Sequence, residues 1–303
     1  MGLDMVKALM QDYCDLCEKP GSLYGKGRSF DLLSCQQCGL MWTNPLEIGS
    51  ESEMPPDDYW AEDVYLENRE TQKKRFRQQL KTFLRQSGIH DLKSIKVLEV
   101  GSGLGFFLDV CDELGIEAEG CDVIERAVRY ANRERERVRL GTLDSHYAGE
   151  TFDAVFAFNL IEHLAHPKGF LDEAHRVLKT GGHLVLETPI QESLFHRLAR
   201  LGYALSQGRL NFFGMDPGGH IYKFSKRTFG QTETGFTRVY QRNIDSPFGE
   251  IWGKSSISSV DSRSLYRLSL PLAWTAARVT RQEKAVSASN CLRWPVCLSF
   301  RQR

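Results

Sequence analysis

Four cysteines near the start of the chain, Cys14, Cys17, Cys35 and Cys38, form two C-x2-C pairs with 17 residues between them. Two residues between thiolates let one tight turn aim both sulfurs at a single ion, and a second such turn completes the tetrahedron that structural zinc prefers. Four thiolates leave no open coordination position, so the expected ion is structural and not catalytic. Gly39 relieves the backbone after the second pair, while Glu18 takes the matching place after the first. Further on, EVGSGLGFFL places Gly101, Gly103 and Gly105 at alternate positions, where a ligand can approach the backbone closely. The pattern is weak alone. It gains weight from Glu99 just ahead of it and from Asp122, 21 residues after Gly101, where a carboxylate can accept from both ribose hydroxyls.

The elements that must position these residues are legible as short apolar runs alternating with helical stretches. IKVLEV, EAEGCDV, FDAVFAFN and HLVLETP read as strands; LGFFLDVCDELG, ERAVRYANRERERV and PKGFLDEAHRVLKTGG read as helices, the last stopped by its glycines. The alternation predicts an α/β fold, a parallel sheet covered by helices on both faces. TGFTRVYQRN and the period-two run through Leu292, Trp294, Val296, Leu298 and Phe300 supply two more strands. Pro295 within that run should mark a bulge or an edge. Residues 66–87 form an amphipathic helix with Phe76, Leu80, Phe83 and Leu84 on one face. Lys73, Lys74, Arg75, Arg77 and Lys81 lie around the other, and we read them as a solvated face in preference to an RNA-binding patch. Between the cysteines and this helix lies an irregular linker whose Tyr59, Trp60 and Tyr65 are candidates to turn inward over a site.

The ordered set E-V-G-S-G-L-G, C-D-V, F-D-A-V-F-A-F-N-L-I-E-H-L and R-V-L-K-T-G-G-H-L-V-L-E-T-P resembles the class I S-adenosylmethionine-dependent methyltransferase family over residues 95–245. The resemblance implies a doubly wound, mostly parallel seven-stranded sheet with one antiparallel strand near its edge. It also implies that Glu99, Gly101, Gly103 and Gly105 enclose the methionine moiety and Asp122 holds the ribose. Thr142, Leu143 and Asp144 would flank the adenine, and Asn159 would close the pocket. The activated methyl already sits on the cofactor, so the protein aligns an acceptor and, where necessary, removes a proton. His163, directly after Glu162, is the candidate base, since histidine titrates near neutrality. His166, His175 and His183 read as structural. Some relatives hold a divalent metal with E-x-x-E-H; Asn159 in the first glutamate's place removes a hard anionic ligand and argues against a catalytic magnesium.

The cysteine pairs followed by this core are similar to bacterial sugar C-methyltransferases and polysaccharide-cluster methyltransferases. There a Tyr-x-Glu-His precedes an apolar-Phe-Ser segment, whereas here Pro217-Gly218-Gly219-His220 precedes IYKFS. His220 alone survives as a second catalytic candidate, which shifts the expectation from enolate chemistry to O-methylation of a small-molecule or sugar-like acceptor. Expected boundaries are a zinc-binding module at 1–50, a linker and amphipathic helix at 51–94, and the transferase domain at 95–303. Within that domain a lid-like insertion spans 191–219, carrying Leu194, Phe195, Leu198, Leu201 and Leu205 at helical spacing. Arg197, Arg200 and Arg209 make peripheral membrane contact through 191–209 the alternative to a lid.

Lysine plus arginine and aspartate plus glutamate both number 39, so no whole-protein field steers the chain toward nucleic acid. With 41% hydrophobic residues and no apolar run approaching the about 20 residues of a membrane span, a cytoplasmic protein is expected. The N-terminus shows no signal-peptide pattern, so the eight cysteines read as thiols and ligands. Two rival readings are a zinc-ribbon RNA methyltransferase and a non-catalytic cofactor-binding scaffold. Neutral charge and the lack of an N-P-P-[FYW] segment oppose the first, and the intact glycine and Asp122 set opposes the second.

Overall fold

The computed structural model describes residues 7–26, 30–48, 62–145, 147–190, 201–202, 205–206, 220–231, 235–245 and 293–302. Strands β1 (Lys7–Leu9), β2 (Gly21–Lys26), β3 (Asp31–Cys35), β4 (Met41–Asn44) and β5 (Leu46–Ile48) come first, then helices α1 (Glu62–Glu67) and α2 (Arg69–Ser87). The transferase-like part runs β6 (Lys96–Val100), α3 (Phe106–Glu113), β7 (Glu117–Asp122), α4 (Glu125–Ala131), β8 (Val138–Leu140), β9 (Phe152–Phe158), α5 (Pro167–Val177) and β10 (Leu178–Thr188). It ends with β11 (Tyr222–Lys223), α6 (Thr228–Gln231), β12 (Phe236–Asp245) and β13 (Arg293–Gln302).

Seven strands form one sheet in the order β12-β13-β10-β9-β6-β7-β8. β6, β7, β8, β9 and β10 pair in parallel, while β13 lies antiparallel to both β10 and β12. This is the expected mostly parallel seven-stranded sheet with an antiparallel strand next to its edge. Successive residues of each strand face opposite sides. Val97, Phe156 and Val185 pack with Leu80 and Phe83 of α2, Phe107 and Leu108 of α3, and Val128 of α4. Leu98, Val155, Leu184 and Leu186 pack on the opposite side with Phe170, Leu171 and Ala174 of α5.

That second face holds more than a helix. Cys14, Leu16, Cys35, Cys38, Leu40 and Trp42 belong to the same buried cluster as α5. The N-terminal strands form a four-stranded sheet ordered β11-β4-β3-β2, so the cysteine module completes its sheet with two residues from far along the chain. It therefore packs into the transferase core.

Several sequence expectations are corrected. The helix starting at Glu125 ends at Ala131, because Asn132 turns the chain: its Oδ1 accepts from the backbone nitrogens of Arg137 and Val138 at 3.0 and 2.9 Å. RERERV, residues 133–138, becomes the turn and the start of β8, which completes the parallel sheet beside β7. α5 stops at Val177, before the glycines, because Leu178 already pairs with Phe152; Gly181 and Gly182 fall where the register of β10 shifts. Tyr65 is exposed and does not turn inward; Tyr59 and Trp60 lie outside the described residues. The basic face of α2 is not simply solvated. Lys73 and Arg77 pair with Glu113, and Arg75 with Glu187, which spends charge that an RNA patch would need. Of the two places expected for Pro295, the bulge holds and the edge does not: β13 is internal, and the β12–β13 register shifts beside Pro295, between Asn243 and Asp245. The 191–219 insertion lies outside the described residues except 201–202 and 205–206, where Leu201 and Leu205 are exposed. Among the described residues no helix is long and apolar enough to cross a membrane.

Candidate functional site

The glycine turn follows β6, and all three of its glycines take the left-handed backbone, with φ of 72° at Gly101, 50° at Gly103 and 76° at Gly105. At Gly101 a Cβ would also come within 3.0 Å of the Leu160 side chain, which would have to shift to admit it. Asp122, at the end of β7, accepts from the Gly103 nitrogen at 2.7 Å and from the Ile124 nitrogen at 2.9 Å. Burial raises its carboxyl above the ordinary range, while those two amides and that of Val123 oppose the rise. Glu99 is buried, and its Oε2 has no hydrogen-bond partner among the described residues. Burial first, and then Asp122, push this carboxyl well up. An unpartnered buried carboxyl oxygen beside a glycine turn suits a ligand ammonium.

Leu143 is buried in a short 3-10 turn, with Thr142 donating to Asp144 on the exposed side. Sequence reasoning missed two neighbours. Val123 and Leu140, at the ends of β7 and β8, are 54% and 49% exposed, large apolar side chains where a flat ring could cover them. Their signal was available in the strand register, had β8 been recognised.

Asn159 follows β9 in a left-handed conformation, φ 49°. Its nitrogen donates to the Glu187 carbonyl at 2.7 Å, and its side chain hydrogen-bonds the Glu187 carboxylate. The amide is thus committed to β10. Glu187, fully buried, also accepts from Arg75 and Gln79 of α2. No local motif marks this residue, because Arg75 and Gln79 come from an element more than 100 positions away.

After Asn159 the chain forms the turn Ile161–His163. The structure brings Glu162, His163 and His220 together: one donor atom from each lies within 4.8 Å of the others. The imidazoles of His163 and His220 meet edge to face, with centroids 4.7 Å apart. Burial, with the charges of His163 and Lys223, pushes His220 down to about 3, so it is neutral at physiological pH. Burial pushes Glu162 up to about 8; its Oε2 accepts from the Thr188 hydroxyl at 2.8 Å. Leu160 against Gly101 links this cluster to the glycine turn. Three histidines that the sequence marks as structural lie elsewhere: His166 is 3.4 Å from Asp15, His175 contacts Gln302, and His183 packs on Phe83.

The four cysteine sulfurs also lie within 4.8 Å of one another, with Cys14–Cys38 at 3.5 Å and Cys17–Cys35 at 3.3 Å. Sulfurs around a tetrahedral zinc, at about 2.3 Å from it, are about 3.8 Å apart. The set fits the ion. The two turns match: Glu18 donates to the Cys14 carbonyl at 2.8 Å and Gly39 to that of Cys35 at 2.9 Å, both residues with positive φ. Cys14, Cys17, Cys35, Cys38, Cys111 and Cys121 are all free thiols.

A glycine turn and a carboxylate at the carboxyl ends of adjacent parallel strands mark a doubly wound domain that takes a nucleotide-bearing ligand at its strand ends. Residues 65–239, more than half of the chain, match the methyltransferase domain family, and the chain belongs to it. Ubiquinone biosynthesis O-methyltransferase of Roseobacter denitrificans is 31% identical over 104 residues, 32% of this chain and 42% of that protein. The mitochondrial enzyme of the same name from Mus musculus is 28% identical over 118 residues, 35% of this chain and 32% of the other. The chain thus spans less than half the length of these curated relatives. Among solved structures, a SAM-dependent methyltransferase from Archaeoglobus fulgidus superposes with a TM-score of 0.47 at 19% identity, covering 75% of this chain and 94% of that one.

Proposed function

We propose that the chain is an S-adenosylmethionine-dependent O-methyltransferase of a small-molecule or sugar-like acceptor, with His163 as the base. The observation that carries this reading is the convergence of Glu162, His163 and His220 beside a methyltransferase glycine turn. The relatives named for O-methylation in ubiquinone biosynthesis support a small acceptor. The bound cofactor supplies the activated methyl group. Glu99 would take its ammonium, the Gly101–Gly105 backbone its methionine end and Asp122 its ribose hydroxyls, while Thr142, Leu143, Asp144, Val123 and Leu140 would hold its adenine. Asn159, held by Glu187, closes the pocket. His163, exposed on its turn, takes the acceptor hydroxyl proton as the bond to carbon forms. His220, neutral, orients it. The four cysteines hold a structural zinc in a module of residues 1–50, with a linker and helix at 51–94 and the transferase domain at 95–303. The sugar-methyltransferase likeness supports a polyhydroxylated acceptor.

Full-length protein incubated with methyl-labelled cofactor and cell extract should label a small molecule; label recovered in RNA would overturn the reading. Once that acceptor is in hand, His163→Ala should lower turnover by about 100-fold or more with cofactor affinity retained. Unchanged turnover removes His163 as base.

A second reading rests on one observation: a Glu162 carboxylate oxygen lies within 4.8 Å of nitrogens of two imidazoles, and its buried Oε1 has no hydrogen-bond partner among the described residues. Two nitrogens and one oxygen suit a transition-metal ion better than magnesium. Turnover abolished by a chelator and restored by manganese or zinc, in a protein whose cysteine site stays loaded, would favour it.

A further inference from the structure

The geometry points to the cysteine module as the device that holds His220 against His163: each of its two metal-binding turns grips one of the two segments that carry these histidines. The inference rests on the reading of His163 and His220 as the reaction site.

The grip on the His163 side comes from the first turn. Asp15, between Cys14 and Cys17, accepts from the Lys168 backbone nitrogen at 2.7 Å, in the first turn of α5, five residues past His163. It also meets the His166 ring at 3.4 Å. The grip on the His220 side comes from the second turn. Gln36, between Cys35 and Cys38, accepts through its carbonyl from Arg227 at 2.8 Å, and Gly39 lies against Ser225 closely enough that a Cβ there would sit 3.0 Å from its hydroxyl.

Between the two turns runs a direct connection. β4 recruits β11 as a neighbouring strand, with Tyr222 opposite Trp42 and Lys223 opposite Met41. β11 starts two residues after His220, and Lys223 donates to the His220 carbonyl at 3.3 Å. Just past β11, Phe224 makes an isolated parallel bridge to Ile190, two residues beyond the end of β10. The Tyr222 hydroxyl, in a residue 1% exposed, accepts from Gln11 of the module at 3.1 Å and donates at 3.2 Å to the Ala165 carbonyl, two residues after His163. Gln11 is fixed in turn, its carbonyl accepting from the Trp42 indole at 2.7 Å and its nitrogen donating to Asn44 at 2.8 Å. Tyr222 therefore joins module, His220 strand and His163 turn in one hydrogen-bonded chain. Among these contacts none touches the glycine turn or Asp122. A metal that binds the two turns to each other thus fixes the distance between the segments they grip, and its binding energy becomes rigidity of the histidine pair. Tyr222, Asp15 and Gln11 are positioning residues in this scheme.

The test uses the full chain with ring-labelled histidine, zinc content by metal analysis, and calorimetry with the demethylated cofactor product. Cys17→Ser, which removes one ligand, should lose zinc and move the His163 and His220 ring signals, while product affinity changes by no more than about twofold, as for a distant site. Tyr222→Phe keeps the zinc and the packing but removes both hydroxyl bonds; it should move the same two signals and leave the zinc content and product affinity unchanged. Unmoved histidine signals in Tyr222→Phe, or in a zinc-free Cys17→Ser that stays folded, overturn the inference. Should Cys17→Ser unfold, Tyr222→Phe alone decides. Failure of the functional reading is separately visible: it appears as full turnover in His163→Ala, whatever the ring signals of the module variants do.

Discussion

Replacing Glu162 by glutamine isolates the electrostatic cost of the site. Glu162 is 1% exposed; one oxygen accepts from Thr188 at 2.8 Å and the other has no partner among the described residues. Burial pushes its carboxyl up to about 8, whereas an unfolded glutamate titrates near about 4.3. Between these values the native chain retains a proton that the unfolded chain has released, so its contribution to stability falls as pH rises through the window. At about 1.4 kcal/mol per decade of proton affinity, the ceiling is about 5 kcal/mol. Water entry and local relaxation reduce this, and we expect about 2–3 kcal/mol. Glutamine preserves the shape and the acceptor for Thr188 and carries no charge. Glu162→Gln should match the wild type near pH 4.5 and exceed it by that amount at pH 8.5. His220, held down to about 3 by burial and its neighbours' charges, acts oppositely: it costs stability as pH falls below about 6.5, in both proteins, and cancels in the difference. Urea unfolding followed by tryptophan fluorescence across this range, without added divalent cation, reads the difference directly. A difference independent of pH would refute the reasoning, and a growing loss in the variant would mean that the native site needs the anion.

Metal analysis should find about one zinc per chain, and Cys14→Ser should lose it and lower stability, because structural zinc contributes directly to folding. Asp122→Ala should weaken binding of S-adenosylmethionine by about 1.5–3 kcal/mol in calorimetry, the range for hydrogen bonds to a charged acceptor; unchanged affinity would remove the ribose assignment. Glu187→Ala leaves Arg75 and Gln79 without their acceptor and should destabilise the fold by about 2–4 kcal/mol in denaturant unfolding.

The parallel core was legible because its strands are buried on both faces and read as apolar runs, as in KVLEV and FDAVFAF, with glycines marking the ligand turn. The cysteine quartet was equally legible, since ligand spacing is a local property of two tight turns. Errors arose where local pattern and tertiary pairing compete. RERERV has helix propensity, yet Asn132 and the free edge of β7 turn it into β8. LKTGG looks like a helix end, yet Leu178 is claimed by Phe152 across the sheet.

His163 and His220 were each nominated from the sequence, but 57 positions separate them and nothing local states that their rings touch. The residues that bring them together, Asp15, Gln11, Tyr222 and Gln36, carry no motif, since a hydroxyl or carbonyl acquires its role only from what folds against it. Local spacing determined which groups this protein can use for chemistry. The packing of the cysteine module onto the same sheet face as α5, with β11 as its fourth strand, decided which of those groups meet, because contacts between distant segments are selected by burial of the whole face and by no single stretch of sequence.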